Sequence, residues 1–198
     1  MNPVPSVPVA VPAILLAAGA SSRMGRPKAL LPIGGRAAVD VVAATLRDGG
    51  CAEVVVVLGA HADEVCAGAR LDRVRVVEHA GWAAGRTSSV QAGLRAVAPD
   101  AAAVLLALVD MPYVAPATVA ALLGVLHTAP DEIDAIVPTH AGRRGHPVVL
   151  RRTLFARIAA LGPDEPLSGV VRAARVLEVA VADPAVLVDL DVPGDLAP

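Results

Sequence analysis

Aromatic side chains are nearly absent from this sequence, which has one Trp, one Tyr and one Phe among 198 residues. Hydrophobic residues nevertheless make up 55% of the chain, so its core has to be built from Val, Leu and Ala. Such a core suits a buried parallel sheet that alanine-rich helices cover. The length is enough for one well-buried domain and too short for two comfortable ones.

Basic runs and long apolar stretches are also missing. A net charge of −2 without a cationic cluster argues against nucleic acid as the main partner. No apolar stretch reaches the roughly 18 residues of a membrane span, so we expect no membrane partner. Residues 1–12, rich in Pro and Val, have no early basic residue and predict a loose tail rather than a signal peptide. Residues 13–198 are then expected to form a single domain.

The sequence has only two cysteines, Cys51 and Cys66, and their spacing is not that of a metal site. Both lie in apolar or helical contexts. We therefore expect reduced structural thiols and a cytoplasmic protein.

Apolar runs of strand length alternate with helical patterns along the whole chain. This alternation predicts an α/β domain with a largely parallel sheet, whose ligands bind outside the carboxyl ends of the strands. Strands are predicted over 13–18, 53–58, 74–77, 104–109, 176–181 and 186–190, with two more segments, 135–137 and 147–150, flanking a turn. Helices are predicted over 37–47, 63–69, 88–97, 116–126, 152–161 and 167–174.

The first predicted strand runs into a small, polar loop that begins at Gly19 and contains Arg23, Arg26 and Lys28. Backbone N–H groups and cations together are what a polyphosphate requires. The spacing matches neither a Walker A loop nor G-x-G-x-x-G, so this is a phosphate-binding loop of another kind. Lys28 is the only lysine among 17 cations, which favours a function for its compact ammonium over chance.

Aspartates occur at or near the ends of two apolar runs. Asp110 ends the run 101–109 and precedes Met111 and Pro112, where a hard oxygen ligand suits Mg²⁺, although an ordinary turn cap is the alternative. If residues 186–190 form a strand, Asp189 and Asp191 lie on one face, where the two carboxylates repel unless a cation is near.

Residues 16–28, Leu-Ala-Ala-Gly-Ala-Ser-Ser-Arg-Met-Gly-Arg-Pro-Lys, resemble the signature of the MobA-like nucleotidyltransferases, and most closely the molybdenum cofactor cytidylyltransferase (MocA-like) branch. The resemblance implies a three-layer Rossmann-like fold with a largely parallel mixed sheet. It also implies catalytic roles for Lys28, Arg23 and Asp110, and a Mg²⁺ site on Asp110 and Asp191, with Asp189 as the second choice. The nucleotide-binding residues that it implies in this loop are Leu16, Ala17, Ala18, Gly19, Ser21, Ser22 and Gly25.

A second segment of the resemblance is Trp-x-x-Gly-x-x-Ser-Ser, matched by residues 82–89. It adds Gly85, Ser88 and Ser89 to the implied nucleotide-binding residues. By itself the pattern is better explained as an ordinary serine cap at a helix start. His79 and Arg86 depart from the Asn and Met that are common in the family.

The third segment, Gly-x-x-Gly-His-Pro, is matched by residues 142–147 and lies near the acceptor substrate in the family. Arg143 and Arg144 could hold an anionic acceptor by bidentate hydrogen bonds, or could form a solvated hairpin tip. His146 is the third acceptor candidate, although a histidine before a proline is more often structural than a catalytic base. Residues 162–172 depart from the Gly-Asp-x-Gly-Ala-Arg pattern on the acceptor side, so transfer to molybdopterin does not carry over directly.

The resulting hypothesis is Mg²⁺-dependent transfer of a nucleoside monophosphate from an NTP, with CTP favoured, to a phosphorylated acceptor such as molybdopterin. An acceptor phosphate is already ionised at neutral pH, so no general base is needed. A molybdoenzyme or maturation factor is a partner that fits this hypothesis. The alternatives are transfer to a sugar 1-phosphate or another small phosphate, and a nucleotide-binding homologue that does not catalyse.

Overall fold

A computed structural model describes residues 10–22 and 24–191. Ten strands lie in these residues, several of them short. They are β1 (Pro12–Ala17), β2 (Pro32–Ile33), β3 (Arg36–Ala37), β4 (Glu53–Leu58), β5 (Arg75–Glu78), β6 (Ala103–Leu108), β7 (Ala135–His140), β8 (Arg143–Arg144), β9 (Val148–Arg151) and β10 (Val176–Ala180).

Six α-helices connect the strands. They are α1 (Ala38–Asp48), α2 (Ala62–Gly68), α3 (Arg86–Ala96), α4 (Pro116–Thr128), α5 (Phe155–Ala159) and α6 (Leu167–Arg172). Short 3-10 helices cover Lys28–Leu30, Trp82–Ala84, Arg152–Leu154 and Pro184–Leu187.

The main sheet has the strand order β10-β7-β9-β6-β1-β4-β5, with β8 paired to β7. Strands β5, β4, β1 and β6 are parallel, and β10 is parallel to β7. Only β9 and the short β8 run against their neighbours. The predicted α/β fold with a largely parallel mixed sheet is thereby confirmed.

The core consists of two apolar layers, one on each face of the sheet. Because successive strand residues point to opposite faces, Ala13 and Leu15 of β1 pack in one layer and Ile14 and Leu16 in the other. Helices α1, α2 and α4 cover the first face, and α3, α5 and α6 cover the second. This arrangement is the three-layer α/β structure expected from the resemblance.

One predicted strand is wrong. Residues 186–190 do not join the sheet, because Asp183 caps a 3-10 helix over Pro184–Leu187, its Oδ1 accepting from Ala185 N at 3.0 Å. Val186 and Leu190 are fully buried by packing instead of strand pairing. The face argument for Asp189 and Asp191 therefore loses its basis.

The boundary of the predicted tail also shifts. Val11 is 2% exposed and Pro12 is the first residue of β1, so the folded part begins before Ala13. Residues 1–9 of the tail lie outside the described residues.

The two cysteines are free, with Cys51 buried and Cys66 exposed. Burial raises the pKa of the Cys51 thiol to about 12, so this thiol stays protonated and unreactive. None of the helices in the described part of the chain is both long enough and apolar enough to cross a membrane.

Candidate active site

A cleft of about 460 Å³ opens at the carboxyl ends of β1 and β6. This is where an open α/β sheet places its ligands, because the loops that follow parallel strands meet at that edge. The predicted site residues that line it are Leu16, Ala17, Ala18, Gly19, Ser21, Ser22, Lys28, Gly85, Ser89, Asp110 and Asp191. Asp189, the second choice for the metal, lines it as well.

The loop after β1 is held in shape by its own backbone and by one hydroxyl. Ser21 adopts a left-handed conformation (φ 51°), its carbonyl accepts from Met24 N at 2.9 Å, and its Oγ accepts from Lys28 N at 2.9 Å. Gly25 also has a positive φ (68°) but does not line the cleft. Gly25 therefore shapes the loop, and Ser21 fixes the position of Lys28. Arg23 lies outside the described residues.

Lys28 lies between the two aspartates predicted as metal ligands. Its Nζ donates to Asp110 Oδ2 at 2.9 Å and to Asp191 Oδ1 at 2.6 Å. Asp110 lies 82 residues after Lys28 in the sequence, and Asp191 lies 163 residues after it. Burial lowers the pKa of Lys28, but the hydrogen bonds to Asp191 and Asp110 outweigh it and hold the pKa above its usual value. Lys28 is thus a charged ammonium that neutralises part of a carboxylate pair.

Asp110 is fixed by the C-terminal segment. Its carbonyl accepts from Leu190 N at 2.7 Å, and Leu190 is buried against Met24, Leu31 and Ala38. Asp191 is therefore brought to the cleft by its buried neighbour. Asp191 is thus positioned by the packing of Leu190 and not by the alternation of strand residues that the sequence had suggested.

The carboxylate pair fits a divalent cation of the Mg²⁺ or Mn²⁺ type. Among the described residues, Asp110 Oδ1 is buried and has no hydrogen-bond partner, so it is available to a ligand such as a metal ion. The described part of the chain contains no group of three or more His, Cys, Asp or Glu side chains able to hold a metal. Mg²⁺ commonly takes only one or two carboxylates and completes its shell with substrate phosphates and water. Two carboxylates are therefore sufficient for a nucleotide-linked metal.

The start of α3 forms the other wall of the cleft. Gly85 has a φ of 139°, and a Cβ there would lie 2.4 Å from Asp164 Cα, so both its conformation and its packing require glycine. Thr87 Oγ1 donates to Glu165 O at 2.5 Å, and Ser88 N donates to Pro163 O at 3.0 Å. The segment 163–165, which departs from the family pattern, thus supports the first turn of α3.

Ser88 does not line the cleft. Its hydroxyl donates to Gly85 O at 2.6 Å and lies 2.8 Å from His79 Nε2. Burial lowers the pKa of His79, which favours a neutral ring. Because the Ser88 hydroxyl donates its one proton to Gly85 O, His79 Nε2–H donates to that hydroxyl. Ser88 therefore has structural contacts in the turn before α3, while Ser89 faces the cleft.

Two of the three predicted acceptor residues, Arg143 and Arg144, do not line the cleft. Arg143 and Arg144 are exposed on the hairpin of β7 and β8, and Arg144 Nη2 is ion-paired with Glu178 Oε1 at 2.7 Å. His146 is largely buried beside Leu108 and Met111, in a separate small cavity, and burial lowers its pKa. The structure does not bring Arg143 and Arg144 together with Lys28, whereas His146 is near enough to Asp110 and Arg86 for their charges to act on its ring.

Among the other residues that line the cleft, His61, Trp82 and Arg86 have side chains able to contact a ligand. Trp82 and Arg86 belong to the motif at 82–89, whereas His61 was not assigned to the site from the sequence. His61 follows β4 by three residues, and β4 is the parallel neighbour of β1. The position of His61 after a parallel strand was a signal that pointed to the site, as it did for Asp110.

The family model for the MobA-like NTP transferase domain matches residues 13–193 of the chain. A search of characterised proteins finds a relative named nicotine blue oxidoreductase, from Paenarthrobacter nicotinovorans. It is 44% identical over 161 residues, which are 76% of this chain and 75% of the relative.

Solved structures give the same picture of the fold. The protein Rv0371c of Mycobacterium tuberculosis, in a complex with manganese, is 31% identical with a TM-score of 0.79, covering 93% of this chain and 95% of its own. A nucleotidyl transferase from Methanothermobacter is 26% identical with a TM-score of 0.77, covering 93% of each chain.

Proposed function

This chain belongs to the MobA-like NTP transferase family of nucleotidyltransferases, and on that basis we propose that it transfers NMP from an NTP to a phosphorylated acceptor, releasing pyrophosphate. The observation that carries the proposal is the cluster of Lys28, Asp110 and Asp191 beside a glycine-bearing loop at the carboxyl edge of the sheet. Such a cleft offers cations and backbone N–H groups to phosphates and carboxylates to a metal.

The loop and Lys28 would act on the triphosphate. Backbone N–H groups between Gly19 and Gly25 would donate to phosphate oxygens, and Lys28 would stabilise the charge that develops on the leaving pyrophosphate. For that contact, Lys28 exchanges its two aspartate partners for phosphate oxygens. Arg23 is proposed to share this role on the basis of its place in the motif.

Asp110 and Asp191 would then hold a divalent cation, for which we favour Mg²⁺. The buried Oδ1 of Asp110 is the oxygen best placed for this role, since no described residue uses it. A divalent cation held there would supply charge neutralisation to the triphosphate. The manganese complex of Rv0371c is consistent with a divalent metal in this fold.

The finer assignment is CTP as the nucleotide and molybdopterin as the acceptor. It rests on the likeness of residues 16–28 to the cytidylyltransferase branch. The segment 163–165 supports the first turn of α3 through Thr87 and Ser88. Its departure from the family pattern therefore concerns the wall of the cleft that α3 forms as well as the acceptor side.

A second candidate function is reduction of a small organic molecule by a dinucleotide cofactor. It is favoured by one observation, the 44% identity to a relative that is named an oxidoreductase. A cleft that binds nucleotide phosphates would also suit a dinucleotide. Such a reaction gives no role to the paired carboxylates, and for that reason we rank it second.

One experiment separates the two candidates. The purified protein is incubated with Mg²⁺ and each of CTP, GTP, ATP and UTP, with and without molybdopterin, and pyrophosphate release is measured. In parallel, NADH and NADPH consumption is followed with a quinone-type dye as the electron acceptor. Acceptor-dependent pyrophosphate release establishes the transferase proposal. Oxidation of NADH or NADPH without pyrophosphate release would overturn the transferase proposal and support the reductase.

A further inference from the structure

His61 connects the loop after β4 to the phosphate-binding loop. Its Nε2 lies 3.0 Å from Ala20 O, and its Nδ1 lies 3.1 Å from Glu64 Oε1 on α2. A second bond, from Ala60 N to Ala18 O at 3.1 Å, runs beside the first. Gly59 permits this approach, because a Cβ there would lie 2.5 Å from Ala18 O.

The partners of His61 fix its protonation. A backbone carbonyl only accepts hydrogen bonds, and so does an ionised carboxylate. Both ring nitrogens therefore have to donate, and only the imidazolium donates from both. In agreement, the hydrogen bond to Ala20 and then that to Glu64 raise the pKa of His61 above its ordinary value.

The position of this charge is informative. His61 lines the same cleft as Lys28, and its side chain retains 30% exposure toward solvent. Glu64, its carboxylate partner, is 61% exposed and lies outside the cleft lining. The neighbouring loop residues Ala20, Ser21 and Ser22 are uncharged, and Arg23 is outside the described residues. The other charged groups of the cleft are Lys28, Arg86, Asp110, Asp189 and Asp191.

We propose that His61 is a positioning residue that holds the phosphate-binding loop in its binding conformation through Ala20 and adds a positive charge beside the nucleotide's phosphates. The ligand in this inference rests on the proposed function, whereas the tether itself does not. A tether that pre-orders a loop lowers the cost of binding, so its loss appears mainly in nucleotide affinity.

The first test concerns the tether in the nucleotide-free protein. Hydrogen exchange is followed at three amides that donate to the loop, those of Met24 (to Ser21 O), Lys28 (to Ser21 Oγ) and Ala60 (to Ala18 O). It is compared in the wild type, His61→Ala, His61→Gln and the control His127→Ala, whose exposed histidine lies on α4 and does not line the cleft. We expect exchange of these amides to be about tenfold faster in His61→Ala, with a smaller increase in His61→Gln and none in the control. Unchanged exchange in His61→Ala would overturn the inference.

The second test concerns affinity. Binding of CTP and GTP with Mg²⁺ is measured by calorimetry for the same variants, and KM and kcat are measured where turnover is found. We expect the Kd and KM for nucleotide to rise about tenfold in His61→Ala and about threefold in His61→Gln, with kcat within twofold. A fall in kcat at constant KM would contradict a positioning role.

The third test follows the charge itself. The pKa of His61 is read from its ring resonances by NMR in the wild type and in Glu64→Gln. Because the folded pKa is raised, the tether is complete at low pH and weakens as the pH rises through that pKa; we expect Glu64→Gln to shift the titration to lower pH. If no NTP binds to the wild type, the proposed function fails, while loop exchange and this titration still decide whether the tether exists.

Discussion

The loops after β1, β4 and β6 and the hairpin of β7 and β8 all lie at the carboxyl edge of one sheet, yet they differ in what they bring together. The loops after β1 and β6 bring Lys28 and Asp110 within hydrogen-bond distance, and the C-terminal segment adds Asp191. The hairpin presents Arg143 and Arg144 to solvent, and Arg144 pairs with Glu178 of the outermost strand, β10.

The difference follows from the strand order. Strands β6, β1 and β4 are direct parallel neighbours, so their loops have to meet. The hairpin belongs to β7, which antiparallel β9 separates from β6. Residues that follow adjacent parallel strands can therefore be assigned to one site from sequence, whereas a motif on a separated strand needs the topology.

The largest expected effect concerns the cleft. Asp110→Asn removes the carboxylate that contacts Lys28 and that we propose as a metal ligand, so we expect pyrophosphate release to fall about 100- to 1000-fold. The exposed Asp100→Asn is the matched control and should retain full activity. Activity of the Asp110 variant within tenfold of wild type would mean that the carboxylate cluster is not catalytic.

Next comes the wall of the cleft. Gly85→Ala introduces a Cβ into contact with Asp164 at a φ of 139°, and we expect a loss of about 3 kcal/mol in unfolding free energy by denaturant titration. Gly142→Ala in the hairpin has a φ of 73° but open space around its Cβ, so about 1 kcal/mol is expected. Equal losses of unfolding free energy in Gly85→Ala and Gly142→Ala would contradict the packing of Gly85 against the segment 163–165.

A smaller effect is expected for metal binding without nucleotide. Lys28→Ala leaves Asp110 and Asp191 without their ammonium, so we expect Mn²⁺ to bind the nucleotide-free variant at least about tenfold more tightly than the wild type, by calorimetry. Lys28→Arg keeps a cation and is the control. If Mn²⁺ binds both variants and the wild type equally, Lys28 does not compete with the metal for the carboxylates.

The smallest effect is expected in the hairpin. Arg144→Ala breaks an ion pair whose side chains are 45% and 49% exposed, so the unfolding free energy should change by less than about 1 kcal/mol. Turnover should stay within about twofold of wild type, with Arg143→Ala alongside. A tenfold rise in the KM for the acceptor in either variant would make the hairpin part of the site and remove the contrast with the cleft.

The strands and the cleft could be predicted because buried parallel strands are continuous apolar runs, and β4 was assigned residue for residue. The run 186–190 is also largely apolar, but it is buried by packing and not by strand pairing. Asp183 caps the 3-10 helix at its start and is held there by a hydrogen bond from Ala115 N to its carboxylate at 2.9 Å. That contact joins residues 68 positions apart, which local patterns do not report. The contact of His61 with Ala20 likewise joins residues 41 positions apart, so the sequence could place His61 at the edge of the sheet but could not give its partner.

The strand β9 also sets the distance between the cleft and the hairpin. It lies between β6, which leads to Asp110, and β7, which leads to the hairpin. Neighbouring strands are about 4.8 Å apart, so the two regions are separated by roughly 10 Å along the edge of the sheet. If the proposed acceptor binds at the cleft, a compact phosphate would not span this distance, whereas a longer molecule would. Under the proposed function, the length of the acceptor would therefore decide whether Arg143 and Arg144 contact it.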